Sequence, residues 1–382
     1  MRKKLLIWAM LAALLCPLAA RGEEALPVLT LRAPTLNYVS LREGELALPA
    51  GESIPVTVKY RGTYSATFTG KRNYTLHLKD GAGNPRKVPL LGLRKDDDWV
   101  LLGGLSDGSR LRVPVGLALW RDLGYPAPAG APCELYFNEY YKGLYFLVER
   151  TDRKSAGMPK NAAVYRVMAA AAEGIDLLAM PAPEGPGDPE VWYNLGKVYP
   201  EGEGGWEPLS ALLSAPDRAA LLNLPAFADY YLYVNLLGAS DNMTKNLYLC
   251  WDGARFSPMP WDLDAAFGRL YDATPSDPAA WYSNALYDDL VARADFQSLL
   301  RERWQAVRPV LSPDAVMARF TALYEELDAA GVWTREGERF PAYTDFTSRV
   351  TQPFDPAGEL AFIRDFLIRR CALLDAALAK EN

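Results

Sequence analysis

From residue 26 to about residue 105, hydrophobic and polar positions alternate with a period of two, the signature of half-buried strands. Residues 54–60 and 72–79 show it best, and a turn cluster at 81–85 leads into shorter strands at 87–93 and 99–102. The period then changes. Leu111, Val115, Leu119 and Leu123 share one helical face over residues 110–123, with Ser109 as the expected N-cap and Pro114 in the first turn. A hairpin, 133–137 with 143–149, closes this half. Residues 169–206 lose all periodicity and are rich in Ala, Gly, Pro and acid, which predicts a surface insertion or connection. Helical patterns resume at 209–213, 216–222 and 225–237. A second hairpin, 247–251 with 255–259, is predicted around Asp252-Gly253. Leu360, Ile363, Leu367, Cys371, Leu374 and Leu378 form the stripe of a final helix. The expected fold is α+β and bilobal, with a β-rich N-lobe at about 26–150, a mostly helical C-lobe at about 207–382, and the site in the cleft.

Composition narrows the chemistry. The chain has 382 residues and one histidine, His77, which sits in a strand pattern. One His without a Cys cluster argues against a zinc centre, and no Gly-x-Ser-x-Gly elbow supports a serine hydrolase. The formal net charge is -6 with no basic tract, which gives no support for nucleic-acid binding. Arg2, Lys3 and Lys4 precede an apolar run at 5–18 and small residues, the pattern of a secretory signal over residues 1–22. The run is short for a membrane span, so a secreted or cell-envelope protein without an integral span after cleavage is expected. Cys133, Cys250 and Cys371 would remain, an odd and sparse set that reads as buried thiols.

The chemistry concentrates between Asp241 and Gly268. Asp241 and Asn246 are separated by four residues, and Asp262-Leu263-Asp264 follows 21 residues after Asp241, leaving room for one hairpin. One carboxylate to take a proton, with an amide and a carboxylate to hold a divalent cation, is the set that phosphoryl transfer requires. Asp241 is the candidate catalytic base. Asn246 and Asp262 are candidate metal ligands, with Asp264 on the same face if the segment is extended. Two acids at i and i+2 on an apolar segment repel each other, which favours a cation between them. The bland alternatives are a turn Asp at 241 and solvated carboxylates at a strand end. Trp261 either stacks on a nucleobase or fills the core beneath the site.

At these residues the chain resembles the spore coat protein H (CotH) kinase family, secreted or surface proteins with an atypical kinase fold. The resemblance rests on Ser240-Asp241-Asn242 through Asn246-Leu247-Tyr248, and on Pro260-Trp261-Asp262-Leu263-Asp264 to Gly268. Four weaker blocks agree in order: Arg61-Gly62 with Lys71-Arg72-Asn73-Tyr74; Asp98 to Leu102; Ser106-Asp107-Gly108-Ser109 to Arg112; and Glu134-Leu135-Tyr136 through Gly143-Leu144-Tyr145 to Glu149-Arg150. It implies a secreted kinase that uses ATP with Mg²⁺ or Mn²⁺ on Ser or Thr of a surface or coat protein. Lys71, Arg61, Arg112, Glu149, Arg166 and Trp261 become the candidate nucleotide-side residues; Arg61 and Arg112 read equally as members of an internal ion-pair set. Arg166 stands where the family often has lysine, so a planar fork replaces a point charge. Other readings are AMP or nucleotidyl transfer, an inactive surface or adhesion protein, and, less in keeping with the ordered blocks, a two-carboxylate glycosidase.

Overall fold

The computed structural model describes residues 25–62, 70–168, 191–192, 195–344 and 351–379. The expected signal segment, 1–22, and most of the aperiodic stretch lie outside them. The early alternation builds β1 (Val28–Arg32), β2 (Arg42–Ala47), β3 (Ser53–Arg61) and β4 (Asn73–Leu78). A small pair, β5 (Val88–Pro89) and β6 (Lys95–Asp96), precedes β7 (Asp98–Leu102), β8 (Gly130–Phe137) and β9 (Tyr140–Glu149). Seven of these strands close a barrel in the order β1-β2-β3-β4-β7-β9-β8, with β1 parallel to β8 at the seam. Closure leaves no unpaired edge. Along β9 the period of two sorts side chains between two cores. Tyr145 and Leu147 point into the barrel with Leu31, Val58 and Leu76, whereas Leu144, Phe146 and Val148 face the rest of the protein.

Helix α1 (Arg112–Asp122) follows β7 and packs into that outer core through Val115, Leu119 and Trp120. The cap differs from the expected one. The N-cap position is Leu111, and Asp107 does the capping by accepting the Arg112 backbone N–H at 2.8 Å. Ser109 instead accepts from the Leu111 N–H at 3.1 Å.

Strands β10 (Ala163–Val167), β11 (Val191–Trp192), β12 (Leu195–Tyr199), β13 (Leu247–Trp251) and β14 (Phe256–Pro260) form a second sheet, ordered β11-β12-β10-β13-β14. The predicted hairpin is thus the edge of a five-stranded sheet, and the aperiodic stretch contributes two strands to it. Periodicity missed them because they are short. Helices α2 (Glu207–Ser214), α3 (Leu224–Leu237) and α4 (Asp241–Thr244) lead to and around the hairpin. Residues 216–222 form only a 3-10 turn, Arg218–Leu221, and not the expected helix. The later helices are α5 (Ala285–Val291), α6 (Ala294–Val307), α7 (Pro313–Ala329), α8 (Val332–Arg339) and α9 (Pro356–Ala377); a two-strand ribbon, β15 (Ala342–Thr344) with β16 (Thr351–Pro353), precedes α9. α3 is buried from Ala226 to Leu237 and packs against α6, α9 and β14. Among the described residues no helix is long and apolar enough to cross a membrane, and Cys133, Cys250 and Cys371 are buried free thiols.

Candidate active site

Helix α3 stops at Gly238, whose φ of 64° is left-handed; a Cβ there would lie 2.6 Å from the Phe366 ring. The chain turns at once into α4, which begins with Asp241. Asp241 accepts a salt bridge from Lys245 at 2.9 Å, one helical turn on. Asn242 is fully buried and holds the base of the hairpin: its Nδ2 donates to the carbonyls of Asn246 (3.1 Å) and Trp261 (2.8 Å). The Trp261 N–H donates to the Asn246 carbonyl at 3.0 Å. Both ends of the hairpin are therefore fixed to the Asp241 turn.

Strand β14 ends at Pro260. Asp262 then adopts φ 53° and Asn246 φ 55°, the left-handed region that non-glycine residues rarely enter. The extended segment expected to put Asp262 and Asp264 on one strand face is absent. A turn brings the two acids together instead. Phe267 N–H donates to the Leu237 carbonyl at 2.6 Å, and Gly268, at φ 91°, lies where a Cβ would strike Phe362 and Phe366. The Phe-Gly pair thus anchors the acidic turn on the end of α3 and on α9.

The electrostatics bind these residues into one group. Burial and the neighbouring Asp241 push the Asp262 carboxyl up, while Arg61, Arg166 and Lys245 oppose the rise. Burial and the adjacent Asp262 push Asp264 up to about 8. The Lys245 ammonium is raised despite burial, by Asp241 first and then by Asp262 and Asp264. Three acids and three cations therefore share a small volume. β10 delivers Arg166 by pairing it with Tyr248 on β13, and Arg61, the last residue of β3, lies 5.4 Å from the centre of the Trp261 ring.

The donor set suits a hard divalent cation. Two mutually repelling carboxylates and an amide are few oxygens, as Mg²⁺ prefers when phosphates and water complete its shell. No group of three or more His, Cys, Asp or Glu side chains able to hold a metal is present among the described residues.

Lys71 and Glu149 are placed away from the acidic turn, whereas Arg112 braces it from inside the protein. Lys71 is fully buried; its Nζ donates to Glu336 at 2.6 and 2.8 Å, with the rings of Tyr145 and Phe340 about it. Arg110 donates its Nε to the same Glu336 at 2.9 Å. Burial lowers the Lys71 ammonium to about 7, although Glu336 works against the fall. Arg112 is also fully buried: Nη1 donates to Asp107, Nη2 to Glu359 at 2.7 Å and Nε to the Ala266 carbonyl at 3.0 Å. It belongs to the internal ion-pair set. Glu149, at the opposite end of β9 from Gly143 and Lys71, meets Arg94 and the Ala129 N–H. Trp261 is buried in the core.

Sequence reasoning gave Lys245 no notice, and it included Asn242 and Ser106 within blocks of resemblance without assigning either a role. Ser106 Oγ donates to Asp264 Oδ2 at 3.0 Å across 158 residues, a contact without any periodic signal. Beside Asp264 lies a cavity of about 40 Å³, walled by Leu102, Val113, Leu117, Phe146 and Val148. It is far smaller than the roughly 300 Å³ or more of a ligand pocket.

A family model described as CotH kinase protein matches residues 58–374, most of the chain and all of this site. The chain belongs to the CotH kinase protein family. No curated protein matches it. Among solved structures it is similar to the Helicobacter pylori proinflammatory kinase CtkA, at 10% identity over 76% of this chain and 93% of that one, with a TM-score of 0.30. It is also similar to the Shewanella oneidensis MR-1 toxin–antitoxin complex of HipA, HipB and operator DNA, at 13% identity over 85% and 69% of the chains, TM-score 0.31. Both scores are too low to argue a shared fold. Membership of the CotH kinase family makes the protein kinase-like.

Proposed function

We propose that the chain transfers the γ-phosphoryl group of ATP to a serine or threonine hydroxyl of a surface or coat protein, with Mg²⁺ or Mn²⁺. The observation that carries this reading is the convergence of Asp241, Asp262 and Asp264 with Arg61, Arg166 and Lys245 on one turn. Asp241 orients the acceptor hydroxyl and accepts its proton as transfer completes. Asp262, Asp264 and Asn246 would hold the cation, which when bound neutralises charge on the phosphates. Arg61 and Arg166 face Asp262 and supply the fixed positive charge for the nucleotide's phosphates. Lys245, paired to Asp241, sets a further cation beside the hydroxyl. The basic-then-apolar start of the sequence supports secretion, and the order of a barrel first and mostly helices later supports a bilobal arrangement.

A second reading is transfer of another part of the nucleotide, such as AMP, because the nucleotide side departs from the family's usual residues at Arg166, where a planar fork replaces a point charge. Labelled ATP separates the two. Incubation of the purified chain with Mn²⁺ and a protein acceptor should place γ-label on Ser or Thr, and Asp241→Ala and Asp262→Ala should each abolish it without changing the fold. Incorporation of α-label would establish nucleotidyl transfer. If neither label is incorporated, and ATP with Mn²⁺ leaves the melting temperature unmoved, the chain is a non-catalytic surface protein.

A further inference from the structure

The loop from Gly103 to Leu111 joins β7 to α1 and is built with unusual investment. Arg110, itself at φ 61°, turns its Nη1 onto three carbonyls of the loop: Gly104 (2.9 Å), Leu105 (3.0 Å) and Asp107 (2.8 Å). Asp107 is buried and accepts the Ser109 N–H at 2.9 Å, the Ser109 hydroxyl at 2.7 Å and the Arg112 N–H at 2.8 Å. Asn73 fixes the other end by accepting the Gly103 N–H at 2.8 Å. In this bracing, one side chain reaches the acidic turn. Ser106 places its hydroxyl on Asp264 Oδ2 at 3.0 Å, while Asp264 Oδ1 accepts the Ala265 N–H at 2.9 Å.

The two acids of the turn are thus prepared differently. Each Asp264 oxygen receives one donor, so the plane of that carboxylate is fixed and each oxygen keeps one lone-pair direction open. The Asp262 carboxylate accepts no hydrogen bond among the described residues; it meets only the fields of its charged neighbours. Carboxylates that ligate metals are commonly held by a hydrogen bond behind them, and such partners are worth about 10–100-fold in metal affinity.

We propose that Ser106 is a positioning residue for the metal site, its hydroxyl setting the orientation in which Asp264 Oδ2 meets a divalent cation. Asp262 would supply the second carboxylate, one that no hydrogen bond among the described residues holds in place. The inference rests on the metal reading above and deepens it by assigning one acid as the fixed ligand and the other as the adaptable one.

Mn²⁺ binding tests it, measured by electron paramagnetic resonance on the full chain, with and without a non-hydrolysable ATP analogue. Ser106→Ala should weaken Mn²⁺ binding about 10–100-fold, and Ser106→Thr, which keeps the hydroxyl, should restore it to within a few-fold. The metal-free melting temperature should change little. If Ser106→Ala lowers the melting temperature but binds Mn²⁺ as tightly as the parent, the bond serves only to hold the loop and the inference is overturned alone. If the parent chain binds no Mn²⁺ with or without the nucleotide analogue, the metal reading fails and this inference fails with it.

Discussion

Glu336→Gln is a severe test of how the barrel is joined to the C-terminal helices. Glu336 is fully buried on α8 and accepts four hydrogen bonds: two from Lys71, one from Arg110 and one from the Leu144 N–H at 2.8 Å. Glutamine keeps the shape but removes the charge, leaving two buried cations without a counter-charge. Removing one partner of a buried ion pair costs roughly 3–5 kcal/mol. The loss should depend on pH. In the parent, Lys71 keeps its proton up to about 7 because Glu336 offsets part of the burial. Without Glu336 the ammonium sheds its proton at lower pH, which relieves the strain, whereas Arg110 cannot do so. The variant's stability should therefore rise, relative to the parent, as pH increases towards 7, by up to about 1.4 kcal/mol per unit. Urea unfolding at pH 5.5 and pH 8 measures both effects. A loss under about 1 kcal/mol at both values would refute the claim that the buried pair holds the halves together.

Other outcomes are expected from the same structure. Gly143→Ala would set a Cβ 2.0 Å from Glu336 Oε2 at a φ of 82°, and should destabilise by roughly 3 kcal/mol or more in the same urea assay. Acid should unfold the protein from about pH 4.5 downward. Burial pushes Glu336 and Glu359 up, but Lys71 and Arg110 for the one, and Arg112 and Arg269 for the other, hold both carboxyls below their ordinary value. Their stabilisation is present above that value and is lost as protons bind on descent, which circular dichroism against pH would follow. Tyr287 Oη is buried without a partner among the described residues, so Tyr287→Phe should leave the melting temperature unchanged or raise it, by up to about 1 kcal/mol in stability.

What could be read from the sequence was local. The 247–251 and 255–259 hairpin stands as Leu247–Trp251 and Phe256–Pro260, because Asp252 accepts the Ala254 and Arg255 N–H groups and Gly253 takes φ 106°. Helix 225–237 appears almost residue for residue, since Pro225 and Gly238 mark its ends. Asp241, Asn246, Asp262 and Asp264 were visible as residue types at a spacing. Their geometry was not: Asp262 takes a left-handed φ, and no alternation or helical stripe announces it. From the sequence Lys71 reads as a nucleotide-side residue, because its partner, Glu336, lies 265 residues away. Burial and long-range pairing decide such positions, and neither leaves a period in the chain.

That sequence separation has a consequence for the order of assembly on the ribosome. All seven barrel strands emerge before residue 150, yet the counter-charge for Lys71 arrives only with residue 336. A nascent barrel must therefore wait, with one end electrostatically unfinished, until nearly nine-tenths of the 382 residues have been made. A fragment ending ahead of α8 inherits that defect permanently and should accumulate as an aggregation-prone species instead of a free-standing domain.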